Sequence, residues 1–299
     1  EEGSVDRMAT ILHFAKASDG ADGLTEPMPV KPCQHYAMGG IETKEFGETV
    51  IDGLYAAGEC ACASVHGSNR LGGNALPELI VFGARAGSHA AGGDLAEAQI
   101  PTGQTGEWEP GDVDTPVEPG EPSVGSGEAL ADGGATNLAP ADVVARTTER
   151  ARARVEALLD NDGRNHSEIR ASIQETMTDN VNVFREEGRL KQALEDIRTA
   201  RDAYEDVGVA DQSRTFNTDL IHTIETRNVI DLAEAITLGA LAREEFRGAH
   251  WRQGYQERDD ENWLKHTMLS WNSGQPELWY RPVLLEGENK RYEPKIRSY

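Results

Sequence analysis

Three cysteines in 299 residues, Cys33, Cys60 and Cys62, form no CxxC pair. That spacing gives neither a disulfide framework nor a thiolate set for zinc or an iron–sulfur cluster, so we read buried or inert thiols and no metal site. No apolar run approaches 18 residues, which excludes a transmembrane helix. The opening EEGSVDRMATILHF is acidic with a short apolar run, unlike a secretory leader. No GxGxxG loop occurs. The nearest pattern, Gly125-x-Gly127-x-x-Leu130, lacks the third glycine and a preceding strand, so it reads as linker. Lysine is scarce too: seven of 29 cations, against 52 Asp plus Glu, for a formal charge of -23. The acids run along the whole chain, which argues against nucleic-acid binding.

What is present concentrates in Pro32 to Gly93, where short apolar runs alternate with glycine clusters. Gly53 to Ala57 (GLYAA) reads as a buried strand ended by Gly58 and Glu59. Leu76 to Ala91 reads as a buried helix stopped by Gly92 and Gly93. The loop Ser64 to Asn74 lies between them. A strand, a glycine-rich loop and a helix in this order form the nucleotide-binding corner of α/β folds. Gly72 and Gly73 allow close backbone approach. The N–H groups of Asn74, Ala75 and Leu76 are expected as orphan donors at a helix start. Glu59 suits sugar-like hydroxyls, and Arg70 offers a planar fork for a carboxylate. His35, before a Gly-Gly turn, offers a second donor to the same anion.

The motifs HYAMGG (His35 to Gly40), GLYAAGE (Gly53 to Glu59) and SVHGSNRLGGNAL (Ser64 to Leu76) resemble the flavoprotein subunit of succinate dehydrogenase and fumarate reductase. FRGAHWRQGYQERDDENWLKHTM (Phe246 to Met268) and the closing KIRSY (Lys295 to Tyr299) are similar to the end of that subunit. The resemblance covers most of the chain except about 95–140. It implies FAD as cofactor, with Glu59, Ala75 and Leu76 in contact with it and Gly58, Gly73 and Asn74 completing that surface. The family usually has Ser at the Ala75 position, so only a backbone contact is expected there. The resemblance assigns substrate dicarboxylate binding to His35 and Arg70. It places the proton-shuttling Arg upstream, so no catalytic residue is assigned within this chain. It further implies succinate–fumarate interconversion in electron transport and the tricarboxylic acid cycle. An iron–sulfur subunit and membrane-anchor subunits are the implied partners, at the cytoplasmic face of the membrane.

The expected fold is therefore an α/β flavin-binding segment, partial and Rossmann-like, then an α-helical bundle and a small β-containing tail. By residue, 1–30 reads as the tail of a capping domain and 31–93 as the C-terminal segment of the FAD-binding domain. A Gly/Pro-rich acidic linker, partly disordered, follows over 94–140, then a helical domain over 141–258 and a tail over 259–299. The ends suggest the C-terminal half of a longer flavoprotein. Helices are expected over Ala141–Leu159, Ser167–Phe184 with a Ser167 cap, Glu187–Val207 and Asn217–Phe246, the last inside an antiparallel bundle. Arg227 and Glu225 read as a structural or solvated pair. Asp160-Asn161-Asp162-Gly163 lacks the later ligands of a calcium loop. His250, Arg252, Arg258, Asp259, Asp260 and His266 form a polar cluster that we read as packing the tail onto the flavin segment or meeting a partner. Glu277 to Leu285 looks like a strand.

Two other functions compete: an L-aspartate oxidase-like flavoenzyme, and an inactive helical interaction protein built on Ala141 to Phe246. RLGGNAL and RDDENWLKH favour the dehydrogenase, and retained His35, Glu59 and Arg70 oppose the inactive reading.

The charge admits an ordinary acidic protein, but we read a halophile, in which excess surface carboxylates require salt to screen their repulsion. The melting temperature should then rise steadily between about 0.1 M and about 2 M KCl, where the screening length falls to a few ångströms. A flat or falling series in thermal melts would contradict this reading.

Overall fold

The structure is a computed structural model that describes residues 2–28, 34–92, 140–272, 274–287 and 290–291. The linker expected over 94–140 therefore lies outside the described residues apart from its last position, and so does Cys33. The chain forms two units, Glu1–His35 and Tyr36–Tyr299. The first holds helix α1 (Glu2–Asp19) and a turn in which Leu24 N–H donates to Asp22. Ile11 and Phe14 on α1 are exposed.

The second unit opens with the glycine-rich segment. Strands β1 (Ile41–Glu42) and β2 (Ala61–Cys62) pair in parallel. Gly40, at φ 130°, permits this approach, because a Cβ there would run into the Cys60 carbonyl. The strand expected over Gly53–Ala57 does not form. Tyr55 makes only an isolated bridge to Glu48, and Gly53, at φ 79°, turns the chain. Helix α2 (Ala75–Ala90) does form, and Gly92 beyond it has the expected left-handed backbone, with φ 71°. It is not a buried helix: only Glu78 and Ala86 are buried, while Leu76 and Ile80 are 69% and 71% exposed. Composition made α2 apolar, but burial depends on what packs against it. Cys60 is likewise exposed, not buried, and its thiol lies 3.5 Å from the Ala57 carbonyl.

The core is helical. Helix α3 (Pro140–Asp160) leads to β3 (Arg164–Asn165) and α4 (His166–Thr176). A π turn follows over Met177–Val181, so the α-helix ends well before Phe184. The cap of α4 is Asn165, not Ser167: its side chain accepts the Ser167 N–H at 2.8 Å. Helix α5 (Glu187–Tyr204) runs to β4 (Val207–Gly208), which pairs in parallel with β3. Helix α6 (Thr218–Ala242) is capped by Asn217, which accepts the Leu220 N–H. Ile169, Ile173, Ile197, Tyr204, Ile230 and Ala233 make the central cluster of α4, α5 and α6.

The buried face of α6 is not its most apolar one. Thr223, Thr226, Ile230, Ala233, Thr237 and Ala240 are buried at helical spacing, whereas Ile221, Leu232 and Ile236 are exposed. The three threonines tolerate burial because each hydroxyl donates to a carbonyl one turn back: Asp219, His222 and Ala233. Glu225 and Arg227, two apart on α6, do not face each other. Glu225 pairs with Arg170, and Arg227 with Glu205 and Asp231.

After α6 the tail is held by ions. Glu245, with no exposed side-chain surface, accepts from Arg243 at 2.8 Å and from Arg247 at 2.7 and 2.9 Å. It also accepts the Asp259 N–H. Arg247 reaches on to Asp260, which Arg258 also meets. Arg252, nearly fully buried, donates to the Leu241 carbonyl and to Glu187. Short helix α7 (Asp260–Trp263) precedes an antiparallel hairpin of β5 (Lys265–Asn272) and β6 (Gln275–Pro282). The expected strand is thus present as β6, and its partner β5 was not foreseen. Lys265 lies over the rings of Trp263 and Tyr280, at 4.8 and 4.3 Å. Residues Glu286–Gly287 and Lys290–Arg291 pair as β7 and β8.

Two outcomes follow from this packing. Ile230→Ala should cost about 2–5 kcal/mol in denaturant unfolding. Ile221→Ala, on the exposed face of the same helix, should stay within about 0.5 kcal/mol. Equal effects would contradict the assigned face.

His250 is neutral in the fold. Burial, and the charges of Arg185 and Arg243, lower its pKa to about 4, against the weaker pull of Glu245. The ring nitrogens agree with this. Arg185 can only donate, at 2.9 Å to Nδ1, so Nε2 carries the proton given to the Arg243 carbonyl at 3.0 Å. The unfolded chain binds a proton at His250 near pH 6.5 and the folded chain does not, so stability should fall as pH drops from about 6.5 to about 4. His250→Asn should flatten that part of a stability–pH series.

Candidate functional site

The loop from Ser64 to Asn74 is anchored to the tail at Ser64 and Ser68. Ser64, at φ 59°, places its hydroxyl 3.0 Å from Nε2 of His266 on β5. Burial, and the charge of Arg281, lower the His266 pKa, so the imidazole is neutral. Further along, the Ser68 carbonyl accepts the Ala249 N–H at 3.0 Å. Gly248, at φ 57°, lies so close that a Cβ would meet the Ser68 hydroxyl at 2.5 Å and its backbone at 2.8 Å. Only glycine admits both that backbone conformation and that approach. The tail therefore packs back onto this loop, one of the two placements read from the polar cluster. The cluster's six residues divide in the structure: His250 and Arg252 bind back to Arg185, the end of α6 and Glu187, Arg258, Asp259 and Asp260 hold the tail together, and His266 reaches the loop.

Beyond Ser68 the loop delivers Arg70. Its Nη1 donates to the Leu71 carbonyl at 3.1 Å, and its guanidinium carbon lies 4.6 Å from the Tyr36 ring centre. Its Nε is buried without a hydrogen-bond partner, and among the described residues Arg70 makes no ion pair. Glu59 accepts the Ala37 N–H at 3.0 Å. That bond ties the end of the AGE motif to the HYAMGG segment. His35 is exposed and belongs to the first unit.

The start of α2 follows. Asn74 is not the free donor expected, because its N–H donates to the Leu71 carbonyl at 3.1 Å and closes a turn. Its side chain caps nothing, which leaves the N–H groups of Ala75 and Leu76 at the head of the helix without a side-chain acceptor. A Cβ at Gly72 or Gly73 would meet nothing within 4 Å, so these glycines leave open space in front of the helix start. Gly73 needs its freedom for φ 84°. Gly58 serves packing: it is buried, and a Cβ there would strike Leu79 of α2 at 2.5 Å. An uncapped helix start, an open glycine approach and the exposed Glu59 carboxylate fit a cofactor with an electron-rich ring edge and ribose hydroxyls. Glu59, Ala75 and Leu76 would hold it.

Sequence reasoning gave no role to Tyr36, which lies against Arg70, or to the two residues that meet Tyr36. The Tyr36 hydroxyl donates to Glu78 at 3.2 Å. Glu78 is buried, and His66 Nε2 lies 3.9 Å from the same carboxylate. The Tyr36 and His66 rings meet edge to face at 5.7 Å. Burial, then the Glu78 charge, raises the Tyr36 pKa, so the phenol stays protonated. The available signal was an acid in the first turn of an otherwise apolar helix.

Residues 170–299 match the family described as fumarate reductase flavoprotein C-term, and residues 3–76 match the FAD binding domain. The Haemophilus influenzae fumarate reductase flavoprotein subunit is 36% identical over 98% of this chain and 42% of its own length. The mitochondrial succinate dehydrogenase [ubiquinone] flavoprotein subunit of Oryza sativa is 34% identical over 98% of the chain and 42% of its own length. A solved variant of E. coli quinol fumarate reductase FrdA superposes with TM-score 0.73 at 33% identity, covering 94% of this chain and 43% of that one. Mycobacterium smegmatis Sdh1 in complex with UQ1 gives 0.69 at 28% identity, over 95% and 41%. The chain thus spans about 42% of the length of the curated relatives it matches. Long motifs, two matched regions and a shared fold make this chain a member of the succinate dehydrogenase/fumarate reductase flavoprotein family, whose cofactor is FAD.

Proposed function

We propose that this chain is part of an FAD-dependent oxidoreductase that interconverts succinate and fumarate. The observation that carries the reading is Arg70. It lies half-buried, unpaired with any described acid, just beyond the two anchored residues Ser64 and Ser68 of a loop leading to the glycine-opened start of α2. A guanidinium so held matches a carboxylate with two parallel hydrogen bonds. His35 is proposed as a second donor to the dicarboxylate. Glu59 accepts from the cofactor's ribose, and the Ala75 and Leu76 N–H groups face its electron-rich edge, where the helix start favours negative charge. FAD, when bound, supplies the two-electron acceptor. Clamping the carboxylate fixes the substrate carbon, which is catalysis by orientation.

The relatives support this activity, being named fumarate reductase or succinate dehydrogenase flavoprotein subunits. Electrons are proposed to pass to an iron–sulfur partner subunit, with membrane-anchor subunits holding the complex at the cytoplasmic face. A related structure is described as quinol-fumarate reductase with menaquinol molecules, at 33% identity and TM-score 0.73. No described helix is long and apolar enough to cross a membrane. The division into capping tail, FAD-domain segment, linker, helical domain and C-terminal tail belongs to the same proposal.

Arg70→Lys in the holoenzyme should keep FAD and folding but reduce succinate turnover by about a hundredfold or more, since a point charge cannot reproduce the fork. Malonate, a competing dicarboxylate, should weaken in parallel. Near-normal turnover and malonate binding in this variant would return Arg70 to a structural role.

A further inference from the structure

An arginine side chain ending in a half-buried loop has several rotamers, and a clamp needs one of them. In this structure Arg70 is not aimed by an acid. Its flat guanidinium lies against the Tyr36 ring, 4.6 Å from the centre, and its Nη1 is bonded to the Leu71 carbonyl. Tyr36 is itself held. Its hydroxyl donates to Glu78 at 3.2 Å, and its ring meets the His66 ring edge to face at 5.7 Å. Glu78 cannot drift, because it is buried in the first turn of α2, the helix that starts the cofactor surface.

We propose that Tyr36, fixed by the buried carboxylate of Glu78, is the platform that aims Arg70, and that both are positioning residues for carboxylate binding. The inference rests on the reading of Arg70 as the clamp. An aromatic face attracts a guanidinium without using its N–H donors, so those not bonded to the Leu71 carbonyl stay available to a substrate. An acid in the same place would compete with the substrate for those donors. Two acids that meet the Tyr36–Ala37 segment are otherwise engaged, Glu78 with the Tyr36 hydroxyl and Glu59 with the Ala37 N–H. The platform also links substrate and cofactor surfaces, because Glu78 stands on the helix whose first N–H groups face the cofactor.

The test is a double-mutant cycle in the holoenzyme, with malonate affinity measured by calorimetry and FAD content checked by absorbance. Tyr36→Leu should weaken malonate about tenfold and raise the succinate KM in step, with FAD retained. Tyr36→Phe keeps the ring and loses only the Glu78 anchor, so it should fall between, near threefold, about half the effect. In an Arg70→Ala background, Tyr36→Leu should add less than about twofold, because the platform then has nothing to aim. Additive losses in the two backgrounds would overturn the platform, leaving Tyr36 structural and the clamp intact. If Tyr36→Leu fails to load FAD, the cycle is run with Tyr36→Phe, and the same additivity decides it. If Arg70→Ala alone leaves malonate affinity unchanged, the clamp reading itself falls and the platform with it.

Discussion

A carboxylate with no exposed surface, Glu245, holds the arrangement on which the candidate site depends. Two arginines and a backbone N–H surround it, and Arg247 extends the grip to Asp260. A buried ion cluster of this kind is weak evidence for stability, because desolvation offsets much of the attraction. Its consequence here is geometric. With Arg243 and Arg247 fixed to one carboxylate, the chain between them and His250 has little freedom. Gly248 and Ala249 are thereby set against Ser68, nearly 180 residues earlier in the chain. Removing one arginine would leave the buried carboxylate with a single cationic partner and fewer donors, so the cluster resists piecemeal change.

The loop that carries Arg70 is thus positioned from behind by the tail and from the side by Tyr36 and Glu78. Neither support is a carboxylate aimed at the guanidinium. The loop's backbone is pinned through Ser64 and Ser68, and its functional group rests on an aromatic face. Rigidity of the loop and freedom of the donors are therefore compatible. The same helix start serves two purposes. Its first N–H groups remain uncapped, while its first acid, Glu78, is buried to hold Tyr36.

Much of this was legible in the sequence. The order of short apolar run, glycine-rich loop and apolar helix marked the candidate site, and the fork chemistry of Arg70 made it the candidate clamp. The bundle helices followed from their three- and four-residue spacing. The misreadings have physical causes. The GLYAA run makes only a single bridge, Tyr55 to Glu48, because Gly53 and Gly58 bend the chain on either side. Helix α2 was apolar enough to be buried, yet Leu76 and Ile80 are exposed. Asn165 outcompeted Ser167 for the cap because its side chain reaches the Ser167 N–H. Asn74 closed a turn through its N–H, which no composition rule distinguishes from a free helix donor.

By itself the sequence determined the family motifs, the acidic surface, the helical periodicities and the identity of the donor at the loop tip. These are local properties, fixed by residue type and spacing. Tertiary structure alone decided what surrounds Arg70. Tyr36, His66 and Glu78 come together across some forty residues, and His266 reaches Ser64 across two hundred. It also decided which face of α6 is buried, one that carries Thr223, Thr226 and Thr237 beside Ile230 and that tolerates the hydroxyls because they bond within the helix. Such contacts depend on where elements end and what lies opposite, and side-chain spacing along one element carries no record of either.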